Sequence, residues 1–180
     1  MACNTTFSFE FYPPQTQEGV TKLMQTAKKL NEYNPEFFSV TFGAGGSTKE
    51  KTLETVLDLK KSGFNATPHI SCISSSKAEI KDLLDIYKSN KINHLVALRG
   101  DNPSGSINFG ELNYANELVN FIKSEMGDTF KIDVGAYPEV HPESETAKQD
   151  FINFKNKVEA GADSAITQFF YNVDAYFKFV

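Results

Sequence analysis

Metal-ligand and disulfide spacings are missing from this 180-residue sequence, which has two cysteines and three histidines. Cys3 and Cys72 lie far apart and neither belongs to a CxxC or Cys/His pattern, so no disulfide framework and no metal site is expected. No apolar run approaches the roughly 18 residues that a spanning helix needs. The N-terminal MACNTTFSFE has neither the basic n-region nor the hydrophobic h-region of a secretory signal, and the expectation is a cytoplasmic chain with no membrane association. Clustered positive charge is absent too. Lys and Arg number 18 against 23 Asp and Glu, a net charge of −5, and the lysines are scattered along amphipathic stretches, which excludes a nucleic-acid footprint. What is present, 40% hydrophobic and 23% charged residues, describes a globular chain with one sizeable core, and residues 1–180 are expected to form one domain.

Short β-rich runs alternate with helical patterns. The runs are FSFEFY from Phe7, FFSVTF from Phe37, NATPHIS from Asn65, HLVALR from His94, KIDVGAY from Lys131 and SAITQFF from Ser164. Between them, Val20, Leu23, Met24, Ala27 and Leu30, or Ile80, Leu83, Leu84 and Tyr87, place apolar groups on one helical face. Ser47-x-x-Glu50 and Ser76-x-x-Glu79 read as capping boxes, and Gly63 stands where a C-terminal cap is wanted. Strand and helix in alternation imply parallel strands joined by crossovers, hence an α/β fold that is either a doubly wound sheet or a (βα) barrel. Two features favour the barrel. The first βα turn is Pro13-Pro14 and not GxGxxG. Every strand also ends in polarity, at Glu10, Thr41, His69, Arg99 with Asp101, Tyr137 and Gln168, as in a (βα)8 TIM-type barrel whose site is drawn from many strand ends.

Several of these residues carry candidate chemistry. Alternation sends Ser8, Glu10 and Tyr12 inward and Phe7, Phe9 and Phe11 toward the helices. An inward carboxyl among apolar walls has its charged form disfavoured, so Glu10 is a candidate general acid; the competing reading is a buried carboxylate paired with Arg99. Arg99-Gly100-Asp101 and the Pro/Gly loop behind it set a guanidinium fork beside a carboxylate at the barrel mouth. The same tripeptide serves elsewhere as an adhesion motif, for which a strand end displays it poorly. AYPEVHPE holds Tyr137 and His141 in a stiff segment suited to a planar ligand. Asp150, Asn153 and Lys157 share one helical face, either a solvated face or part of a site. The GAGGST segment, Gly43 to Thr48, is equally a phosphate cradle and a tight turn. His94 opens a strand and belongs to the stabilising bottom of a barrel, and Cys72 reads as a buried structural thiol.

The runs FSFEFYPPQT, SVTFGAGGST, ATPHISC, HLVALRGD, AYPEVHPE and GADSAITQFFYNVD resemble, in order and interval, those of methylenetetrahydrofolate reductases, most closely the compact bacterial type. The resemblance implies FAD as cofactor and NADH or NADPH as co-substrate. It also implies a ping-pong reaction at one flavin that converts 5,10-methylenetetrahydrofolate to 5-methyltetrahydrofolate for methionine supply. In this reading Glu10 is the acid that helps open the folate ring, Asp101 is a second catalytic group near flavin and folate, and Gln168, Asp101 and Thr41 contact substrate. Flavin contacts carry over to Thr41, Phe42, His69, Arg99, Gly100, Asp101, Tyr114, Ala115, Tyr137, His141, Asp150, Asn153 and Lys157. Asn156 stands where bacterial relatives often carry Arg, exchanging an ion pair for at most a hydrogen bond. Homo-oligomers and small-molecule partners are implied as well. A full barrel has eight strands and about 250 residues, so six of the eight strands are expected here, with open edges at the first and sixth and the C-terminal third lacking. Besides an active reductase, the sequence leaves open a flavin- or folate-binding module without turnover. A non-flavin barrel lyase or aldolase is a further reading, although no barrel-strand lysine is present for Schiff-base chemistry.

Overall fold

A computed structural model of the chain describes residues 5–42, 46–73, 75–101 and 110–180, apart from the side chains of residues 46–48. Cys3, Gly43 to Gly45 of the glycine-rich segment and the Pro/Gly loop after Asp101 lie outside the described residues. Six strands, β1 (Phe9–Phe11), β2 (Phe38–Val40), β3 (Ala66–Ser71), β4 (His94–Leu98), β5 (Lys131–Ala136) and β6 (Ser164–Thr167), alternate with helices α1 (Gln17–Asn31), α2 (Gly46–Lys61), α3 (Lys77–Ser89), α4 (Ala115–Met126), α5 (Ala147–Glu159) and α6 (Val173–Phe179). The strands form one parallel sheet in sequence order, β1 to β6. No strand crosses over a neighbour, so the doubly wound alternative is excluded and the fold is a TIM-type barrel with six of eight strands.

Register explains why one face is apolar and the other polar. Glu10 pairs with Ser39 and Ser39 with Thr67; Val96 pairs with His69 and Asp133, and Asp133 with Ser164. With side chains alternating along each strand, these residues share the inner face. The opposite rows, including Phe38, Val40, Ala66, Ile70, Leu95, Ala97, Ile132 and Val134, pack against Leu23, Val56, Leu59, Leu84, Leu118 and Ile122 of the helices as one buried cluster. Phe9 and Phe11 of the edge strand β1 stack on Phe38 with ring centroids 6.0 and 5.5 Å apart.

Local signals hold with one exception. Ser76 and Glu79 form a reciprocal capping box on α3, Thr16 and Thr146 cap α1 and α5, and Gly63 adopts φ 84° after α2. Ser47 is not an N-cap: α2 already begins at Gly46, two residues ahead of the start that the Ser-x-x-Glu spacing suggests, so Ser47 lies within the first turn. Among the described residues, no helix is long and apolar enough to cross a membrane. The last third is less covered. α5 and α6 bury no residue, and Phe151, Val158, Ile166, Phe169, Tyr171 and Phe177 are exposed, as expected for an arc whose edge strand β6 pairs with β5 alone.

At the bottom of the inner face lies a polar layer spanning four strands. His94 Nε2 is 2.8 Å from Asp133 Oδ2, His94 Nδ1 is 3.3 Å from Thr67 Oγ1, and Ser164 donates to Asp133 Oδ1. The Phe37 ring meets the imidazole edge-on at 4.7 Å. Burial pushes the Asp133 carboxyl up, but hydrogen bonds from His94 and Ser164 outweigh it and hold the group below the ordinary carboxylate value. His94 is thus structural, as its place at a strand start implied.

At the top, β3 and β4 are joined through one carbonyl. Arg99 O accepts from Ser71 Oγ at 2.6 Å and from Ile73 N at 3.0 Å. Gly100 follows with φ 86°, and a Cβ there would lie 2.0 Å from Ser71 Oγ, so any other residue is strained in its backbone and displaces the Ser71 hydroxyl from the Arg99 carbonyl.

Two stability predictions follow from these layers. Because Asp133 titrates lower in the folded chain than unfolded, its contribution is present above the unfolded carboxylate pKa and disappears as pH falls through the folded one. Asp133→Asn should cost about 3 kcal/mol at neutral pH in urea unfolding and flatten the acid limb below about pH 4. Gly100→Ala should lower stability by about 2 kcal/mol in the same measurement, with Ser71→Ala recovering part of the loss by removing the obstructing hydroxyl.

Candidate active site

The C-terminal strand ends gather the predicted polar residues into two groups. The first spans β1 and β3. Glu10 Oε2 lies 3.4 Å from His69 Nε2. His69 is 7% exposed, and its Nε2 has no hydrogen-bond partner among the described residues; the Glu10 contact lacks hydrogen-bond geometry. Burial pushes the His69 pKa down to about 4, with Asp133 pulling weakly the other way. The imidazole is therefore neutral at physiological pH. Burial also raises the Glu10 pKa, although its side chain is 52% exposed, because β1 is the edge of the arc. Glu10 does face inward, but it is not the partner of Arg99.

Arg99 belongs to the second group, across β4 and β5. Its Nη2 is 2.6 Å from Glu143 Oε2. Tyr137 and His141 meet with centroids 4.3 Å apart at 62°. The backbone N–H of His141 donates to Asp150 Oδ2 at 3.0 Å, and Ser144 Oγ donates to Asp150 Oδ1, so the α5 carboxylate holds the loop carrying the imidazole. Tyr137 has its pKa raised first by burial and then by the negative fields of Asp101, Asp150 and Glu143, against Arg99. That electrostatic neighbourhood brings four of the predicted residues, Arg99, Asp101, Tyr137 and Asp150, to one place. Lys157 reaches in from the same helix: its Nζ donates to Gly135 O at 2.6 Å, and burial pushes its pKa down despite Asp150. Two members of the helical stripe, Asp150 and Lys157, are thereby part of this group rather than of a solvated face.

The remaining predicted residues make local contacts on their own or neighbouring elements. Thr41 closes β2, its N–H bonded to Phe11 O at 3.0 Å, with its carbonyl accepting from Thr52 Oγ1; Phe42 follows, with Lys49 Nζ 6.0 Å from its ring. Tyr114 is the N-cap of α4 and Ala115 its first residue, and the Tyr114 ring is 59% exposed. Asn153 is exposed and accepts from Gln149 within α5. Gln168 follows β6, its N–H bonded to Ala136 O at 2.8 Å, and its Oε1 accepts from the next amide, Phe169 N, at 2.9 Å. Cys72 is a buried free thiol whose pKa burial pushes up to about 11, consistent with a structural role. Among the described residues, no group of His, Cys, Asp and Glu is arranged to hold a metal.

Two acidic residues at this rim were not singled out by sequence. Glu143 grips Arg99, and Glu139 binds the β6–α6 loop. Both lie in the AYPEVHPE segment, but nothing in charge spacing distinguishes them from solvated surface carboxylates.

With this geometry in hand, known proteins bear on the chain directly. Residues 2–180 match the pattern of the family described as methylenetetrahydrofolate reductase. The 5,10-methylenetetrahydrofolate reductases of Salmonella typhimurium and Escherichia coli are each 44% identical over 173 residues, covering 96% of this chain and 57% of those proteins. Methylenetetrahydrofolate reductase (NADH) 1 of Arabidopsis thaliana is 40% identical over 190 residues, covering 98% of this chain and 32% of that protein. Among solved structures, the aldolase QR15 superposes with a TM-score of 0.60 at 14% identity, covering 93% of this chain and 70% of that one, a likeness of fold alone. The chain thus spans 57% of the length of its bacterial relatives, and the match along its whole length establishes that it belongs to the methylenetetrahydrofolate reductase family.

Proposed function

We propose that this chain forms the flavin-holding part of an enzyme that reduces 5,10-methylenetetrahydrofolate to 5-methyltetrahydrofolate with NADH or NADPH as donor. The observation that carries the reading is the Glu10–His69 pair, a carboxyl with raised pKa beside a neutral buried imidazole at the strand ends. A neutral His69 places no positive charge next to Glu10, so nothing on that side draws its proton away. Glu10 then keeps its proton more tightly than an ordinary carboxylate, the bias that a general acid needs to give a proton to a nitrogen leaving group. Asp101, in the field around Tyr137, supplies negative charge where a cationic folate would need it.

The donor set of the second group fits FAD. Tyr137 and His141 form an aromatic pair for a planar ring, Arg99 and Lys157 bring two cations to the same rim, and the backbone at Gly100 is bare of side chain. Thr41, Phe42, His69, Asp101, Tyr114, Ala115, Asp150 and Asn153 complete the proposed cofactor contacts, with Gln168, Asp101 and Thr41 toward substrate. When bound, FAD supplies a two-electron carrier between nicotinamide and folate. The same reading includes a cytoplasmic setting and self-association. A flavin- and folate-binding module without turnover is the second reading, favoured by the exposure of β6 and Gln168.

The visible spectrum tests both. Bands near the flavin maxima that bleach with anaerobic NADH and return with methylenetetrahydrofolate are expected of the reductase; bands that bleach and do not return would select the binding module, and a folded chain that takes up no FAD would refute the proposal. For Glu10→Gln, stopped-flow traces should show reduction by NADH within about twofold of wild type and folate-dependent reoxidation slower by roughly a hundredfold or more. Equal losses in both halves would remove Glu10 from the acid role.

A further inference from the structure

The β5–α5 and β6–α6 loops are joined by a single side chain. Glu139 Oε1 accepts the consecutive backbone amides of Tyr171 at 3.0 Å and Asn172 at 2.7 Å. Asn172 in turn caps α6, its Oδ1 accepting from Asp174 N and Ala175 N. One carboxylate thus fixes the segment that begins three residues beyond Gln168.

The next residue is strained. Val140 has φ 77°, a left-handed conformation that β-branched residues rarely adopt and that persists only where its surroundings hold it. Here they hold it from both sides. Val140 N donates to Tyr137 O at 3.2 Å, Glu139 is bound to the β6–α6 loop, and the His141 N–H is bound to Asp150. The reversal at Val140 separates neighbours with opposite tasks: Glu139 reaches the β6 side, while His141 folds back onto Tyr137.

We propose that Glu139 is a positioning residue that fixes the Gln168 end of β6 relative to the Tyr137–His141 pair, with the strained turn at Val140 directing its carboxylate away from that pair. This deepens the proposed function and rests on it: the Tyr137–His141 side would hold flavin, the Gln168 side folate, and Glu139 would set the distance between them without touching either. Because Asp150 holds His141 independently, loss of Glu139 is expected to disturb the folate side selectively.

The test uses the FAD-loaded chain as wild type, Glu139→Ala and Glu139→Gln. Amide hydrogen exchange at Tyr171 and Asn172 should accelerate by roughly tenfold or more in Glu139→Ala, with Ile132 and Val134 in the core unchanged. Titration with 5-methyltetrahydrofolate, read from the flavin spectrum, should give a Kd raised severalfold, while the Kd for FAD stays within about twofold. Glu139→Gln keeps an acceptor oxygen and should restore most of both effects. Unchanged exchange in Glu139→Ala would overturn the proposal. So would faster exchange with unaltered folate affinity, or an equal loss of FAD affinity. A folded wild-type chain that binds neither FAD nor folate would refute the proposed function instead, and the exchange measurement would still decide whether Glu139 holds the loop.

Discussion

The apolar contact between the outer rows of β2 to β5 and helices α1 to α4 is the constraint from which the rest of the structure follows. Phe38, Val40, Ile70, Leu95, Ile132 and Val134 are almost fully removed from water by that contact. Since strand side chains alternate, burying one row against the helices dictates that the other faces the interior of the arc. The inner row is thereby released from providing the main core. It holds instead a polar layer at the bottom, His94, Asp133, Thr67 and Ser164, and polar strand ends at the top.

The two ends use the same chemistry for different purposes. At the bottom each polar group is answered by another: the carboxylate of Asp133 meets an imidazole and a hydroxyl, and its charge is stabilised despite burial. At the top the balance is left incomplete. His69 Nε2 has no hydrogen-bond partner among the described residues, and the Glu10 carboxyl has its proton held more tightly than usual. Such unmatched groups cost stability, and their concentration at strand C-terminal ends is consistent with a functional surface.

The strand-and-helix alternation and the polar strand ends were legible in the sequence because they rest on local periodicity and on the position of a residue within its own strand. The fold class followed from them, and so did the inward direction of Glu10. Partners were less legible. Arg99 was weighed as a partner of Glu10, yet it pairs with Glu143, because the β5–α5 loop folds back over β4 and no periodicity encodes that path. Asp150 and Lys157 could not be separated from Asn153 by spacing alone, since all three share a helical face and only the first two meet the β5 segment. The helix start at Gly46 places Ser47 inside α2 and not at its expected cap, a shift within the range over which spacing alone fixes a helix boundary. Val140, with its left-handed backbone, carries no sequence mark at all; glycine or asparagine would have been expected there.

The position of Glu10 on β1 ties its proton affinity to the edge of the sheet. β1 is an edge of the sheet, hydrogen-bonded along one side only, and Glu10 is accordingly half open to water. Any surface laid along that edge would thin the solvent around the carboxyl and strengthen its hold on a proton, because the uncharged form loses less on dehydration than the anion. Closure of the arc and the proton affinity of Glu10 are therefore one variable seen from two sides: whatever covers the seam of the barrel also sets how tightly that carboxyl keeps its proton.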